Sequence, residues 1–150
     1  MLRYRLDALG SVVAYALALG AAVAGTFLAM GHWEDSLAPG EDMSMAGLAL
    51  LPAITIGVLG VPVLLASVVS LFLRSERSAR IGQLVSACLH LPAAALSVTV
   101  LSGVSRDSTE AGMGWWAAGF GAAVVIHLVW LAWAVKESRR SERVVVFGGE

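Results

Sequence analysis

The sequence contains little charge, and its charged residues are kept out of four apolar stretches. Only 14% of the 150 residues are Asp, Glu, Lys or Arg, whereas 58% are hydrophobic. The uncharged stretches are Ala8–Met30, Met43–Leu73, Ile81–Ser105 and Ala111–Val135. Proton-coupled exporters and ion pumps normally carry at least one charged side chain inside the membrane. The absence of such a residue argues against that class of transporter.

Cysteine and enzyme motifs are missing as well. Cys88 is the single cysteine, which excludes an intramolecular disulfide and a cysteine-based metal site. We expect it to be a small buried residue. The sequence has no glycine-rich phosphate loop, no HExxH and no GxSxG motif, and the connector Arg74–Arg80 is too short for a catalytic domain. Enzymatic activity is therefore not expected unless a cofactor supplies the chemistry.

The acidic segment after the first stretch lacks the spacing of a metal site. His32 is followed by Glu34 and Asp35, and Glu41 and Asp42 come later. Imidazole and carboxylate groups bind a divalent cation when the fold holds them in a compact set. These groups are spread along a polar connector, so we predict a solvated loop and no metal site.

The four apolar stretches have the length of membrane-spanning helices. A hydrocarbon layer about 30 Å thick needs about 20 helical residues. We therefore predict an all-α integral membrane protein, folded as one four-helix bundle. The predicted spans are about 8–30, 48–73, 81–105 and 112–135, followed by a tail at 136–150. Met43–Leu50 is expected to form a loop or a surface helix, which places Pro52 in the first turn of the second span.

Nine of the ten Lys and Arg residues belong to connectors on one side of the predicted membrane. They are Arg3, Arg5, Arg74, Arg77, Arg80, Lys136, Arg139, Arg140 and Arg143, and only Arg106 lies on the other side. Because cytoplasmic loops collect Lys and Arg, we predict a multi-pass protein of the cell membrane with both termini in the cytoplasm. The net charge of −1 gives no reason to expect nucleic acid. The expected partners are the lipid bilayer and either other membrane helices or a second copy.

The N-terminus has a second interpretation, as a secretory signal peptide. Arg3 and Arg5, the apolar run Ser11–Gly20 and the small residues 22–24 resemble the three regions of such a peptide. The apolar character continues through Met30, however. We therefore predict an uncleaved first helix.

Small residues recur at every fourth position of the first and fourth spans. The series are Gly10, Ala14, Ala18 and Ala22; Ala16, Gly20 and Ala24; Ala117 and Gly121; and Gly119 and Ala123. Such series let helix backbones approach each other in lipid. They predict a closely packed bundle without saying whether the neighbouring helix belongs to the same chain.

The aromatic residues are predicted to mark the two membrane interfaces. Trp33, Trp115 and Trp116 fall at the outer boundary, and Tyr4, Phe72, Trp130 and Trp133 fall near the inner one. Amphipathic rings prefer the level of the lipid headgroups. We interpret all seven as anchors.

A polar layer at one depth is the only arrangement that suggests chemistry. His90 lies ten residues after Arg80, and His127 lies nine residues before Lys136. At 1.5 Å per residue, both imidazoles are expected about 14–15 Å from the cytoplasmic border, near the bilayer midplane. Tyr15 is expected at almost the same depth, about 12 Å from the border.

Each histidine belongs to a helix face that is predicted to point inward. On the third span this face holds Gln83, Ser86, His90, Ala93, Ala94 and Ser97, and on the fourth it holds Gly112, Gly119, Ala123, His127 and Ala134. A polar stripe that faced lipid would cost several kcal/mol. We therefore expect both faces in the interior of the bundle, where the two histidines could meet.

Four roles are compatible with such a pair. His90 and His127 could be axial ligands of a b-type haem, or one of them could accept a proton from a quinol with help from Tyr15. A proton relay is the third role, because histidine titrates in the physiological range. In the fourth role both rings are neutral and only connect helices, through hydrogen bonds to Ser86, Ser97, Tyr15 or a carbonyl.

The leading functional prediction is a non-enzymatic accessory subunit whose small-residue faces bind other membrane helices. The second is a redox membrane protein that holds haem or a quinone at His90 and His127. The third is a small-molecule permease, because Pro62 and Pro92 are expected to kink the second and third helices, and broken helices often line transport sites. The apolar patch Val144–Phe147 is expected to be disordered, with strand addition to a partner as the alternative.

Overall fold

The computed structural model describes residues 2–36, 46–72, 75–104 and 112–147. Helix α1 is Leu2–Ser36, α2 is Leu51–Phe72, α3 is Glu76–Val104 and α4 is Met113–Phe147, and a short 3-10 helix, Ala46–Leu50, precedes α2. No β-strand occurs within these four ranges. The prediction of an all-α protein with four long helices is confirmed.

Each of the four helices is long and apolar enough to cross a membrane. The qualifying segments are Leu6–Asp35, Leu48–Phe72, Arg80–Gly103 and Met113–Glu137. They agree with the predicted spans, and the largest difference is the end of the first segment, at Asp35 instead of Met30. The chain is therefore a small multi-pass membrane protein.

The helices form a ring in chain order. Helices α1 and α3 each pack against both α2 and α4, and they also approach each other across the diagonal of the bundle. Neighbouring helices are antiparallel, as the contacts between Tyr15 and Ile56 and between Gly25 and Gly119 indicate. The start of α1 and the end of α4 consequently lie at the same end of the bundle, which we call the termini end. The opposite end is called the loop end.

The contact between α1 and α4 is closest at two glycines. A Cβ atom added to Gly25 would lie 2.7 Å from the Cα atom of Gly119 and 2.7 Å from the carbonyl oxygen of Trp115. Both neighbours are backbone atoms, so the two helices touch without side chains between them. The start of α4 also lies against α1, since a Cβ atom on Gly112, whose φ is +92°, would come within 2.8 Å of the Ala29 carbonyl oxygen.

Small residues account for much of the core, as predicted, but only some of the predicted series are used. Ala18, Ala22 and Ala123 are completely buried, whereas Ala16, Gly20 and Ala24 are exposed. From Ala18 onward, the small buried residues of α1 include Ala18, Ala22, Gly25 and Ala29. These residues follow the helical period of 3.6 residues, so strict fourth-residue spacing misses Gly25.

The outer surface of the bundle is apolar. Leu17, Val58 and Val129 are each about 60% exposed, and the exposed hydroxyl groups of Thr55 and Thr99 donate hydrogen bonds to carbonyls of their own helices. This is the surface that a lipid environment requires. Because Cys88 also lies on it, the expectation that this residue is buried is wrong.

The continuity of the helices bears on two further expectations. Helices α2 and α3 run through Pro62 and Pro92 without interruption, and both prolines are exposed; the kinks expected there stay a prediction. Helix α4 continues through Val144–Phe147, where the sequence suggested disorder or a strand. The 3-10 helix before α2 agrees with the predicted surface segment, although residues 43–45 lie outside the described residues.

Candidate functional site

Two histidines are in direct contact at the centre of the bundle. His90 on α3 and His127 on α4 are both completely buried. Their Nδ1 atoms lie 3.0 Å apart, within hydrogen-bond distance, and the rings meet edge to face with centroids 5.2 Å apart. The sequence placed both rings at one depth, and the structure brings them together.

A chain of hydrogen bonds extends from this pair through three serines. The Nε2 atom of His90 lies 3.0 Å from the Oγ atom of Ser11. Ser11 Oγ lies 2.6 Å from Ser86 Oγ, which lies 3.2 Å from Ser67 Oγ. Since Ser11 is on α1 and Ser67 is on α2, the chain joins all four helices. We call Ser67, Ser86, Ser11, His90 and His127 the polar chain.

Helical spacing explains why these side chains meet. On α3, Ser86, His90, Ala93 and Ser97 follow each other at intervals of four, three and four residues, and all four are buried. On α4, Ala123, His127 and Ala134 are also buried, as is Gly119. The prediction that both faces point inward is therefore confirmed. Gln83, at the start of the α3 face, is half-buried.

Tyr15 lies beside both histidines without a hydrogen bond to either in the structure. Its ring centroid is 5.2 Å from that of His90 and 5.2 Å from that of His127. The phenol donates a hydrogen bond of 2.6 Å to the carbonyl oxygen of Ile56. Gly60 gives the ring its space, because a Cβ atom there would lie 2.6 Å from the Cε1 atom of Tyr15. Tyr15 thus closes one side of the pair and ties α1 to α2.

Trp130, which was predicted to be an interface anchor, packs against the interior of the bundle. Its ring centroid lies 6.1 Å from that of His90, and a Cβ atom on Gly10 would lie 2.8 Å from its ring. Trp116 also packs into the bundle, where its indole donates a hydrogen bond to Thr26 Oγ1. Both residues are half-buried, because α4 turns them toward α1 instead of toward the headgroups.

Two acidic residues are more buried inside the bundle than the sequence suggested. Asp7 and Glu137 border the predicted spans, yet only 6% and 9% of their surfaces are exposed. Asp7 also lines a small cavity at the termini end, with a volume of about 10 Å³. The other residues that line this cavity are Ala8, Ser11, Ser67, Ser70, Gln83, Ser86 and Trp130. The cavity therefore adjoins the serine end of the polar chain.

The polar chain allows two arrangements of protons. In the first, His90 donates from Nδ1 to His127 and accepts from Ser11 at Nε2. In the second, His127 donates from Nδ1 to His90, which donates from Nε2 to Ser11. A neutral imidazole has one donor and one acceptor nitrogen, so both arrangements are chemically complete. The fully buried Nε2 atom of His127 ends the chain, since no described residue forms a hydrogen bond with it.

The contact between the rings bears on the cofactors considered above. A haem held by His90 and His127 would place its iron and macrocycle between the two ligating nitrogens. The 3.0 Å separation of the Nδ1 atoms leaves no such space between them, so ligation there would require the rings to separate. An apolar groove of about 250 Å³ between α1 and α2 includes Tyr15 in its wall but neither histidine. Of Tyr15, His90 and His127, a quinol in that groove would contact only Tyr15.

The described residues also bear on metal binding. Within the four described ranges, no group of three or more His, Cys, Asp or Glu residues is close enough to hold a metal ion. His32 is exposed and lies at the loop end, far along α1 from Ser11 and Tyr15. Glu41 and Asp42 lie outside the described residues.

Comparison with known proteins adds no assignment. No protein-family model matches the chain, and no curated protein and no solved structure is significantly similar to it. Any function must therefore follow from the geometry of the buried polar residues.

Sequence reasoning did not assign Ser11, Trp130 or Asp7 to the surroundings of the histidines. The signal for two of them was present, because Asp7, Ser11 and Tyr15 recur at intervals of four residues on α1. This is the spacing of a polar helix face, which places a serine at the level where His90 needs a partner. Trp130 gave no comparable signal, since a tryptophan near a span end is usually an anchor.

Proposed function

We propose that this small membrane protein is non-enzymatic and that its buried polar residues relay a proton to the His90–His127 pair, which binds it. The observation that supports this proposal is the polar chain, whose links of 2.6–3.2 Å join all four helices. Every member of the chain is a hydroxyl or an imidazole, and each can both donate and accept. A proton can therefore move along the chain by a shift at each link, with no change in helix positions.

The geometry of the pair also sets how many protons it can take up. One added proton makes one ring an imidazolium, while the other ring remains neutral and accepts at Nδ1. A second added proton would put an N–H group on both Nδ1 atoms, which are only 3.0 Å apart. At that distance the two N–H groups would repel each other, and a buried site does not stabilise two adjacent positive charges. The pair is therefore proposed to hold one added proton.

Nitrogen-15 NMR of histidine-labelled protein in lipid nanodiscs tests this function. As the pH is lowered, we expect His90 and His127 to change together and to reach a state with one imidazolium between them. If both rings instead stay neutral at every pH at which the protein remains folded, the pair only connects the helices and the proposal is wrong.

A second candidate function is the accessory subunit predicted from the sequence, with a second copy or another membrane helix as its partner. It is supported by the exposed small-residue face Ala16, Gly20 and Ala24 on α1, since no residue of another described helix lies within 4 Å of the Cβ position of Gly20. Gly20→Leu is expected to dissociate a complex that is recovered in mild detergent. Gly31→Leu is the matched control, because Gly31 on α1 likewise has open space at its Cβ position. Recovery of a monomer alone at every detergent level contradicts this candidate.

The cellular setting that we propose is the cell membrane, with both termini in the cytoplasm. It is supported by the nine Lys and Arg residues on one side of the spans, since such residues are retained on the cytoplasmic side. The termini end of the bundle would then face the cytoplasm.

A further inference from the structure

The cavity at the termini end differs from the other depressions on the bundle in the chemistry of its walls. It is lined by an acid, an amide, an indole and four serines. The grooves between α1 and α2 and between α1 and α4 are lined almost entirely by apolar side chains. Those two grooves face lipid, whereas this cavity leads to the serine end of the polar chain.

Two buried donors on the cavity wall have no hydrogen-bond partner among the described residues. Gln83 Nε2 and Trp130 Nε1 are both shielded from solvent, and neither forms a hydrogen bond with any residue that the structure describes. A buried donor without an acceptor is costly. The cavity volume of about 10 Å³ is about what one ordered water needs, and water is the usual partner of such groups.

Among the residues that the structure describes, the half of the bundle toward the loop end provides no comparable route. Its core is made of Ala22, Ala93, Phe120 and similar apolar residues. In the described part of this half, the buried polar side chains are Thr26 and Ser97, and each donates to the carbonyl oxygen four residues earlier on its own helix. Neither one continues the polar chain beyond the histidines.

We propose that the termini-end cavity holds water and is a one-sided inlet through which protons reach the His90–His127 pair. This inference rests on the proposed function and adds the route and the side of access. Protons enter past Asp7 and pass from water to Ser11 or Ser86, and then to His90 Nε2. The pair is the closed end of this path, because the described residues in the loop-end half of the core offer no further link.

Several charged and titratable groups surround the proposed proton path and can affect how readily protons enter it. Asp7 on α1 lines the cavity, Arg80 on α3 is half-buried, and Glu137 on α4 is buried. Lys136 is exposed at the same end. On α2, the described residues that line the cavity are Ser67 and Ser70. Tyr15 is the titratable group beside the histidines themselves.

Vesicles with protein inserted in one orientation test the inlet when their two sides are set to different pH. Two pH-sensitive dyes, one enclosed in the vesicles and one outside, report the pH of the two compartments. We expect the signals of the His90–His127 pair to follow the other compartment, at the termini end. Signals of the pair that follow the loop-end compartment, or both compartments, overturn the inlet.

The same measurement separates this inference from the function on which it rests. A pair that stays neutral at equal pH on both sides contradicts the proposed function. A pair that binds a proton at equal pH but responds to the wrong side contradicts only the inlet.

Gln83→Leu provides a second test, because it removes a polar group from the wall at similar volume. We expect proton exchange between the pair and the termini-end compartment to slow about tenfold, while the pair still binds one proton at equilibrium. Thr99→Val is the control, since Thr99 is exposed on the same helix and bonds only to its own backbone in the structure. Unchanged exchange in Gln83→Leu would overturn the inlet.

Discussion

Replacement of the two histidines, singly and together, tests the contact between them. His90→Leu removes the bond to Ser11 and the bond to His127, and it leaves His127 with two buried nitrogens that have no partner. His127→Leu leaves only the Nδ1 atom of His90 without a partner. An unsatisfied buried polar group costs about 1–3 kcal/mol, so each single replacement is expected to lower the free energy of unfolding by about that amount.

The double replacement is expected to be no worse than the more harmful single one. When both rings are absent, Ser11 still bonds to Ser86, and no imidazole nitrogen remains unsatisfied. The sum of the two single effects should therefore exceed the double effect by about 1–3 kcal/mol. This coupling energy is larger than the typical value of about 0.6 kcal/mol for hydrogen bonds between membrane helices. The reason is that it includes the cost of leaving a buried imidazole nitrogen without a hydrogen-bond partner.

Reversible unfolding in mixed detergent micelles measures these free energies. A control cycle pairs His90→Leu with Ser97→Ala, since Ser97 is buried on the same helix but bonds to its own backbone. That control should be additive within about 0.5 kcal/mol. Additivity of the two histidine replacements as well would refute the direct contact and with it the polar chain.

Three other properties of the molecule can be checked in the same way. Gly25→Ala should destabilise the bundle by about 1–3 kcal/mol, because its Cβ atom meets backbone and not a movable side chain; Gly20→Ala, whose Cβ position is open, should be neutral or stabilising by up to about 1 kcal/mol. An equal loss in both variants, measured by unfolding in micelles, would mean that Gly25 and Gly119 are not in contact. Reporters that are active only in the cytoplasm should be active when fused to either terminus, and an inactive fusion at one terminus contradicts the proposed orientation. Protein purified from cells with ample haem should show no reduced-minus-oxidised absorption bands; a band pair that is lost in His90→Ala and His127→Ala would replace the proton relay with haem ligation.

The sequence was sufficient to predict the helices and that the two histidines lie at one level of the bundle. Long uncharged stretches leave the backbone no alternative to a helix in lipid, and a fixed rise per residue places His90 and His127 at one level. Polar spacing on α3 also indicated that Ser86, His90 and Ser97 would face the interior. These conclusions depend on local geometry, which a sequence contains.

The partners of the histidines could not be predicted, because they depend on how the helices are rotated against each other. The contact of Gly25 with Gly119 sets that rotation for α1 and α4. The sequence does not indicate that these two glycines are in contact. Ser11 meets His90 only because α1 crosses the bundle close to α3. The burial of Asp7 and Trp130 follows from the same packing.

The number of protons that the His90–His127 pair binds is the most direct test of this account. Acid–base titration of the purified protein, minus that of the His90→Leu/His127→Leu double variant, counts them over the pH range in which both remain folded. One proton in the difference is expected, because the Nδ1 atoms, 3.0 Å apart, have room for a single hydrogen between them. A difference of two protons would show that the rings are independent, and a difference of none would show that the pair does not bind protons.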